Sequence, residues 1–190
     1  MADKIDIPSF QIAASKMRAD GTAYFKLFEK HVPRNLGMND VVLLYKLDNL
    51  SCICKIVNMN STAHYVIVSN DAVTTALQVV LDKSIDVEYI KEFDFKETDM
   101  KFDCIIMNPP YQREKHLEIL AEAEKHIKDG GKAICLHPSK WIRRFDYWNN
   151  KWNKFKVETV EFIDSLTSKT VFESTAIGSQ LVITVISNSG

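Results

Sequence analysis

Short, almost continuously apolar runs alternate with helical stretches from residue 40 onward, and no other feature limits the fold as strongly. Val41–Tyr45 reads as a buried strand, residues 65–68 as a second and residues 87–90 as a shorter third. Phe102–Met107 is the longest uninterrupted run, stopped by Pro109 and Pro110. Residues 132–136, 157–163 and 180–186 complete the set, with a loop expected between the last two. Between the strands, residues 71–81 and 114–128 carry helical spacing, while 51–58 fits either a helix or an extended piece. In the 114–128 helix, His116, Ile119, Leu120, Ala123 and Ile127 share a face. Glu124 pairs with Lys128 at i,i+4, and Gly130-Gly131 supplies the stop. Strands apolar on both faces are covered on both faces, so the expected class is α/β, a mainly parallel sheet with helices on each side.

At 190 residues the chain holds one well-buried domain. Residues 1–39 are expected to form a helical or irregular extension, with a helix near 15–29, and residues 40–190 the α/β domain. The 24 Lys and Arg against 25 Asp and Glu exclude a uniformly basic coat, so any nucleic-acid contact must come from a local patch. The start, Met1-Ala2-Asp3-Lys4-Ile5-Asp6, lacks the apolar centre of a signal peptide, and the apolar runs are too short to cross a bilayer. Cys52, Cys54, Cys104 and Cys135 lie in apolar stretches and are expected as free thiols. Cys52-x-Cys54 lacks zinc spacing and has no histidine beside it. The expectation is an intracellular protein, in the cytoplasm or nucleus, with no membrane association and no structural metal.

Ligands of such sheets bind beyond the carboxyl ends of the strands, which points to Asn108-Pro109-Pro110-Tyr111 after the best strand. A bare Pro-Pro is commonly just a strand terminator. A buried strand feeding Asn-Pro-Pro-aromatic, however, closely resembles the catalytic motif of S-adenosylmethionine-dependent amino-group methyltransferases. That family includes adenine-N6 and cytosine-N4 DNA methyltransferases, RNA base methyltransferases and glutamine-N5 enzymes. The resemblance implies a Rossmann-like, class I methyltransferase fold with Asn108, Pro109, Pro110 and Tyr111 as catalytic residues. It implies that the Asn108 side-chain oxygen and the Pro109 carbonyl accept the two N–H bonds of an exocyclic amine. The two prolines would stiffen the loop, and Tyr111 would offer a face to a flipped base.

The same resemblance extends further. Glu92-Phe93-Asp94-Phe95 stands where the family contacts the cofactor's adenine, implying that Asp94 accepts from its amino group and that the Phe95 backbone meets the ring. Asp71 is the nearest candidate for the acid that holds the ribose hydroxyls. Residues 137–141 look like the family's next unit, and residues 171–178 resemble the late loop of adenine-N6 enzymes. That likeness implies Phe172 as a base-packing aromatic, against the alternative of a core phenylalanine. One feature departs from the family. Its cofactor loop carries glycines after the first strand, whereas this chain has Tyr45-Lys46-Leu47-Asp48-Asn49 and no glycine between Gly37 and Gly130. Bulky side chains there would occupy the volume of the cofactor's methionine portion.

Residues 140–156 hold six Lys or Arg against one Asp, interleaved with six aromatics that include all three tryptophans. Lys140, Trp141, Arg143 and Arg144 are therefore candidate substrate contacts, the cations for phosphates and the aromatics for unpaired bases. An amphipathic helix with its aromatics in the core, or a partner surface, explains the same composition. The expected function is methylation of the exocyclic amine of adenine in nucleic acid, DNA ahead of RNA, with S-adenosylmethionine as cofactor. A protein partner would supply target recognition or complete the cofactor site. The alternatives are an inactive methyltransferase-like subunit that binds nucleic acid or a catalytic partner, and a protein glutamine-N5 methyltransferase.

Overall fold

A computed structural model of the chain describes residues 21–110, 115–139, 156–172 and 180–188. The described elements are α1 (Thr22–Glu29), β1 (Val41–Tyr45), α2 (Leu50–Met59), β2 (His64–Val68), α3 (Asp71–Val80), β3 (Asp86–Tyr89) and β4 (Phe102–Met107). They continue with α4 (Lys115–Ala123), β5 (Ile127–Pro138), β6 (Lys156–Phe162), α5 (Ser165–Val171) and β7 (Leu181–Ser187). The seven strands form one sheet in the order β3-β2-β1-β4-β5-β7-β6. Strands β3, β2, β1, β4 and β5 are parallel neighbours, whereas β7 runs antiparallel to both β5 and β6.

The central strands are largely apolar because both faces of the sheet are covered there, whereas the outer strands β3 and β6 carry exposed charged residues. Alternate residues of β1 divide between two clusters. Val42 and Leu44 pack with Tyr24, Phe28, Ile53 and Ile67 on one face. Leu43 and Tyr45 pack with Ile105, Met107, Leu117 and Leu120 on the other. The first face contains Tyr24, Phe25, Leu27 and Phe28 of α1, so the boundary expected at residue 39 does not divide the packing. Helix α1 is further tied to the edge strand β6, where Lys30 and His31 both donate to the Glu161 carboxylate.

Caps decide the local questions left open by periodicity. Asn49 accepts from Cys52 N at 2.9 Å, starting α2 and burying Cys52, Ile53, Ile56 and Val57 along one face, so 51–58 is a helix. Asp164 accepts from Thr167 N at 2.7 Å and starts α5, where a loop was expected.

The 114–128 helix is shorter than its spacing indicates. It ends at Ala123 in a 3₁₀ turn, Glu124–His126, and Ile127 already belongs to β5. Gly130-Gly131 is no helix stop but part of that strand. Between Phe102 and Cys104 the β4–β5 register shifts, and a Cβ on Gly131 would stand 2.7 Å from the Asp103 carbonyl oxygen. Lys128 donates to Asp103 at 3.1 Å instead of pairing with Glu124.

Cys52, Cys104 and Cys135 are buried free thiols, and Cys54 is a half-buried one. Among the described residues, no helix is long and apolar enough to cross a membrane.

Candidate active site

The direction of strand order reverses between β1 and β4, which makes their carboxyl ends a switch point of the kind that binds ligands in α/β sheets. Tyr45 and Met107 are register partners at that end, and Asn108 N donates to the Tyr45 carbonyl at 3.1 Å. Asn108 therefore stands at the switch point, followed by a buried Pro109 and a half-buried Pro110. Its side-chain amide Nδ2 donates to Tyr24 Oη at 3.0 Å. Tyr24 is fully buried, with its ring edge-on to Phe28 at 5.3 Å and to Phe172 at 6.3 Å.

Phe172 is only 3% exposed. It lies in the core beside Tyr24 and not on an open face, so it supports the site from behind. The expected contacts Tyr111, Lys140, Trp141, Arg143 and Arg144 lie outside the described residues.

The glycine-free loop after β1 adopts glycine-like backbone. Lys46 has φ 55° and Asp48 φ 51°, the left-handed region, with fully buried Leu47 between them. Such conformations cost a non-glycine residue about 1–2 kcal/mol, least for Asp and Asn. The cost is offset by contacts that a glycine would lack. Asp48 Oδ1 accepts from Ser69 Oγ at 3.1 Å and from Asn70 N at 2.8 Å, joining the ends of β1 and β2. The Lys46 ammonium lies 5.5 Å from the centre of the Tyr45 ring, while its backbone N–H, as a glycine's would, donates to the Val68 carbonyl at 2.8 Å.

Asp71 opens α3 at the end of β2, largely exposed, and pairs with Lys91 at 3.5 Å. Asp94 caps a 3₁₀ turn by accepting from Lys96 N at 2.9 Å. Phe95 is buried, packed against Phe93 at 4.9 Å and Tyr45 at 5.9 Å. Beside this aromatic cluster lies a cleft of about 460 Å³, lined by Ile90, Glu92, Phe93, Asp94, Glu97 and Thr98 among others. Burial, and next the nearby Asp94 carboxylate, push the Tyr45 hydroxyl above its usual range.

The structure thus gathers Asn108 and Pro109 at the switch point and Asp94 and Phe95 at the cleft. The residues fit a nucleoside-type cofactor in three respects: an acid after β2, an acid beside an aromatic cleft, and a left-handed turn after β1. Two contributors escape the sequence reading. Asp48 carries only the weak signal that Asp tolerates left-handed backbone, and Tyr24 carries none, because its contact to Asn108 spans 84 residues.

A second polar cluster lies at the carboxyl end of β5, two residues past Cys135, the register partner of Met107. His137 is fully buried, its Nε2 lies 2.8 Å from Thr184 Oγ1, and its ring centre is 5.2 Å from that of His116. Burial, then the neighbouring His116, hold the His137 pKa well below the usual imidazole range.

Comparison with known proteins agrees with this geometry. The family model of the Eco57I restriction-modification methylase matches residues 43–134, just under half of the chain. No curated protein matches the sequence significantly. Among solved structures, the M. jannaschii tRNA m1G37 methyltransferase is similar at 14% identity and TM-score 0.61, over 92% of this chain and 52% of that one. Trm5b from Pyrococcus abyssi is similar at 16% identity and TM-score 0.60, over 93% and 51%. Geranyl diphosphate C-methyltransferase from Streptomyces coelicolor is similar at 13% identity and TM-score 0.57, over 88% and 79%. The chain spans about half the length of the two archaeal proteins. Sheet order and these likenesses define a class I, Rossmann-like fold of the S-adenosylmethionine-dependent methyltransferase type.

Proposed function

We propose that the chain is an S-adenosylmethionine-dependent methyltransferase acting on the exocyclic amino group of adenine in nucleic acid, DNA ahead of RNA. The observation that carries this reading is the placement of Asn108 at the mouth of β4, its Nδ2 committed to Tyr24. An asparagine at that position carries an amide oxygen of the kind that accepts from a substrate amine. The match of residues 43–134 to a restriction-modification methylase supports DNA as the first substrate to try.

The adenine amine is a weak nucleophile because its lone pair is delocalised into the ring. Asn108 Oδ1 and the Pro109 carbonyl each accept one of its N–H bonds, which draws the nitrogen toward tetrahedral geometry and localises the lone pair. The buried Pro109 fixes where those acceptors stand. The cofactor, when bound, supplies an electrophilic methyl group on a sulfonium sulfur. Asp71 would hold its ribose hydroxyls, Asp94 and the Phe95 backbone its adenine, and the Lys46–Asp48 turn would flank its methionine portion. Tyr111 would stack on the extruded base, with Phe172 backing Tyr24. Lys140, Trp141, Arg143 and Arg144 would contact phosphates and bases, and a partner protein would contribute target recognition.

One observation favours a second reading, an inactive methyltransferase-like subunit: a lysine occupies the loop where glycine admits the cofactor closely. Transfer of labelled methyl from S-adenosylmethionine to duplex DNA, RNA or protein separates the readings. Label in adenine supports the proposal. Label in glutamine moves the substrate to protein. No label, with no calorimetric binding of S-adenosylhomocysteine, favours the inactive subunit.

A further inference from the structure

We infer that Asp48 shares in holding the cofactor's ribose, its carboxylate reaching from the turn after β1 to the end of β2; this rests on the methyltransferase reading above for the identity of the cofactor. In nucleotide-binding α/β sheets, an acid about 20 residues beyond the first turn takes a ribose hydroxyl. Here that place, just past β2, holds Ser69, which has no carboxylate.

A carboxylate stands there nonetheless. Asp48 Oδ1 accepts from Ser69 Oγ at 3.1 Å and from Asn70 N at 2.8 Å. The group therefore lies against the end of β2, although its backbone belongs to the loop after β1. Both bonds fall on Oδ1, and no described residue donates to Oδ2. Asp48 is half-buried, so solvent still reaches it. Two donors on one oxygen hold the carboxylate in place, and the other oxygen keeps its capacity to accept from a hydroxyl.

Asp71 is placed differently. It sits in the first turn of α3 with its side chain 79% exposed, and it pairs with Lys91, which follows β3. Strand β3 lies on the side of β2 away from β1. Asp48 instead bridges β1 and β2, at the same end of β1 where the Tyr45 carbonyl receives Asn108 N. Of the two acids, Asp48 is the one on the switch-point side of β2.

The test is calorimetric titration of the full chain with S-adenosylhomocysteine and with its 2′,3′-dideoxy analogue, which lacks the ribose hydroxyls. The substitution is Asp48→Asn. It keeps an oxygen for Ser69 and Asn70, tolerates the φ of 51° and exchanges the charged acceptor for an N–H donor. Wild type is expected to prefer S-adenosylhomocysteine over the analogue by at least about tenfold. In Asp48→Asn that preference is expected to fall about tenfold, with the analogue binding as before.

A merely structural role would weaken both ligands alike, so equal weakening overturns the inference, as does unchanged binding of both. So does a preference lost in Asp71→Asn and retained in Asp48→Asn. Should Asp48→Asn fail to fold, ¹³C-labelled wild type decides. The Asp48 carboxyl signal is expected to move with S-adenosylhomocysteine and to stay in place with the analogue, and equal movement overturns the inference. A wild type that binds neither ligand overturns both the role of Asp48 and the cofactor reading. One that binds with the expected preference but methylates no adenine overturns only the substrate proposed above.

Discussion

Asp48 Oδ1 accepts the Asn70 backbone N–H at 2.8 Å, so the carboxylate of one left-handed residue fastens the turn after β1 to the end of β2. The same oxygen receives the Ser69 hydroxyl at 3.1 Å. A loop that lacks glycines thereby keeps the backbone path that glycines would allow, with side-chain hydrogen bonds compensating for its strain.

This gives contrasting outcomes at Lys46, which also has positive φ. Lys46→Gly removes the strain but adds about 0.5–1 kcal/mol of glycine entropy, so urea unfolding should lie within about 1 kcal/mol of wild type. Lys46→Val, β-branched in the same conformation, should cost at least about 1–2 kcal/mol. Equal behaviour of the two variants would mean that the turn does not hold Lys46 left-handed.

Gly21 is a close-approach glycine. Its missing side chain makes room for Asn49, which caps α2 through Cys52 N. Gly21→Ala is expected to cost about 1–2 kcal/mol by displacing that cap, and to lower methyl transfer by shifting α1 and with it Tyr24. Unchanged stability in urea would contradict the packing described for the start of α1.

Two buried groups give pH dependences of opposite sign. His137 is held neutral, its pKa depressed by burial and then by His116. The unfolded chain binds a proton there below about 6.5, so stability is lost as pH falls from that value toward the depressed one. Glu124 is buried in the 3₁₀ turn, and burial raises its pKa to about 7. The protonated acid is favoured there, so its contribution is complete below about 4.3 and is lost as pH rises through 7.

Urea unfolding between pH 4 and pH 8 checks both. Glu124→Gln should stabilise the protein by about 1–2 kcal/mol at pH 8 and change it little at pH 4. His137→Asn should flatten the acid side of the profile. A destabilising Glu124→Gln at pH 8 would show that the carboxylate has a partner.

The strands were legible because a sheet buried on both faces leaves nearly unbroken apolar runs, as in Phe102–Met107. The end of α4 was not. Ile127 falls at helical spacing from Ala123, and nothing in the sequence marks Gly131 as the place where β5 passes close to the Asp103 carbonyl. Helix α5 escaped because only Val171 of its seven residues is buried, leaving no apolar stripe to read.

The place of Asn108 at the carboxyl end of β4 was legible because the motif is contiguous with that strand. Tyr24 was hidden by sequence distance. The glycine-free turn raises a question of volume from sequence, whereas its left-handed backbone at Lys46 and Asp48, secured through Ser69 and Asn70, carries no sequence signal beyond the tolerance of Asp for that conformation.

The most direct measurement is digestion of adenine-containing duplex DNA after incubation with the full chain and methyl-labelled S-adenosylmethionine, with the same assay on Asn108→Ala. The account predicts labelled N6-methyladenine with the wild type. It predicts a loss of at least about a hundredfold in Asn108→Ala, with folding and cofactor binding retained. Equal labelling by the two proteins, or label in a base other than adenine, would contradict it.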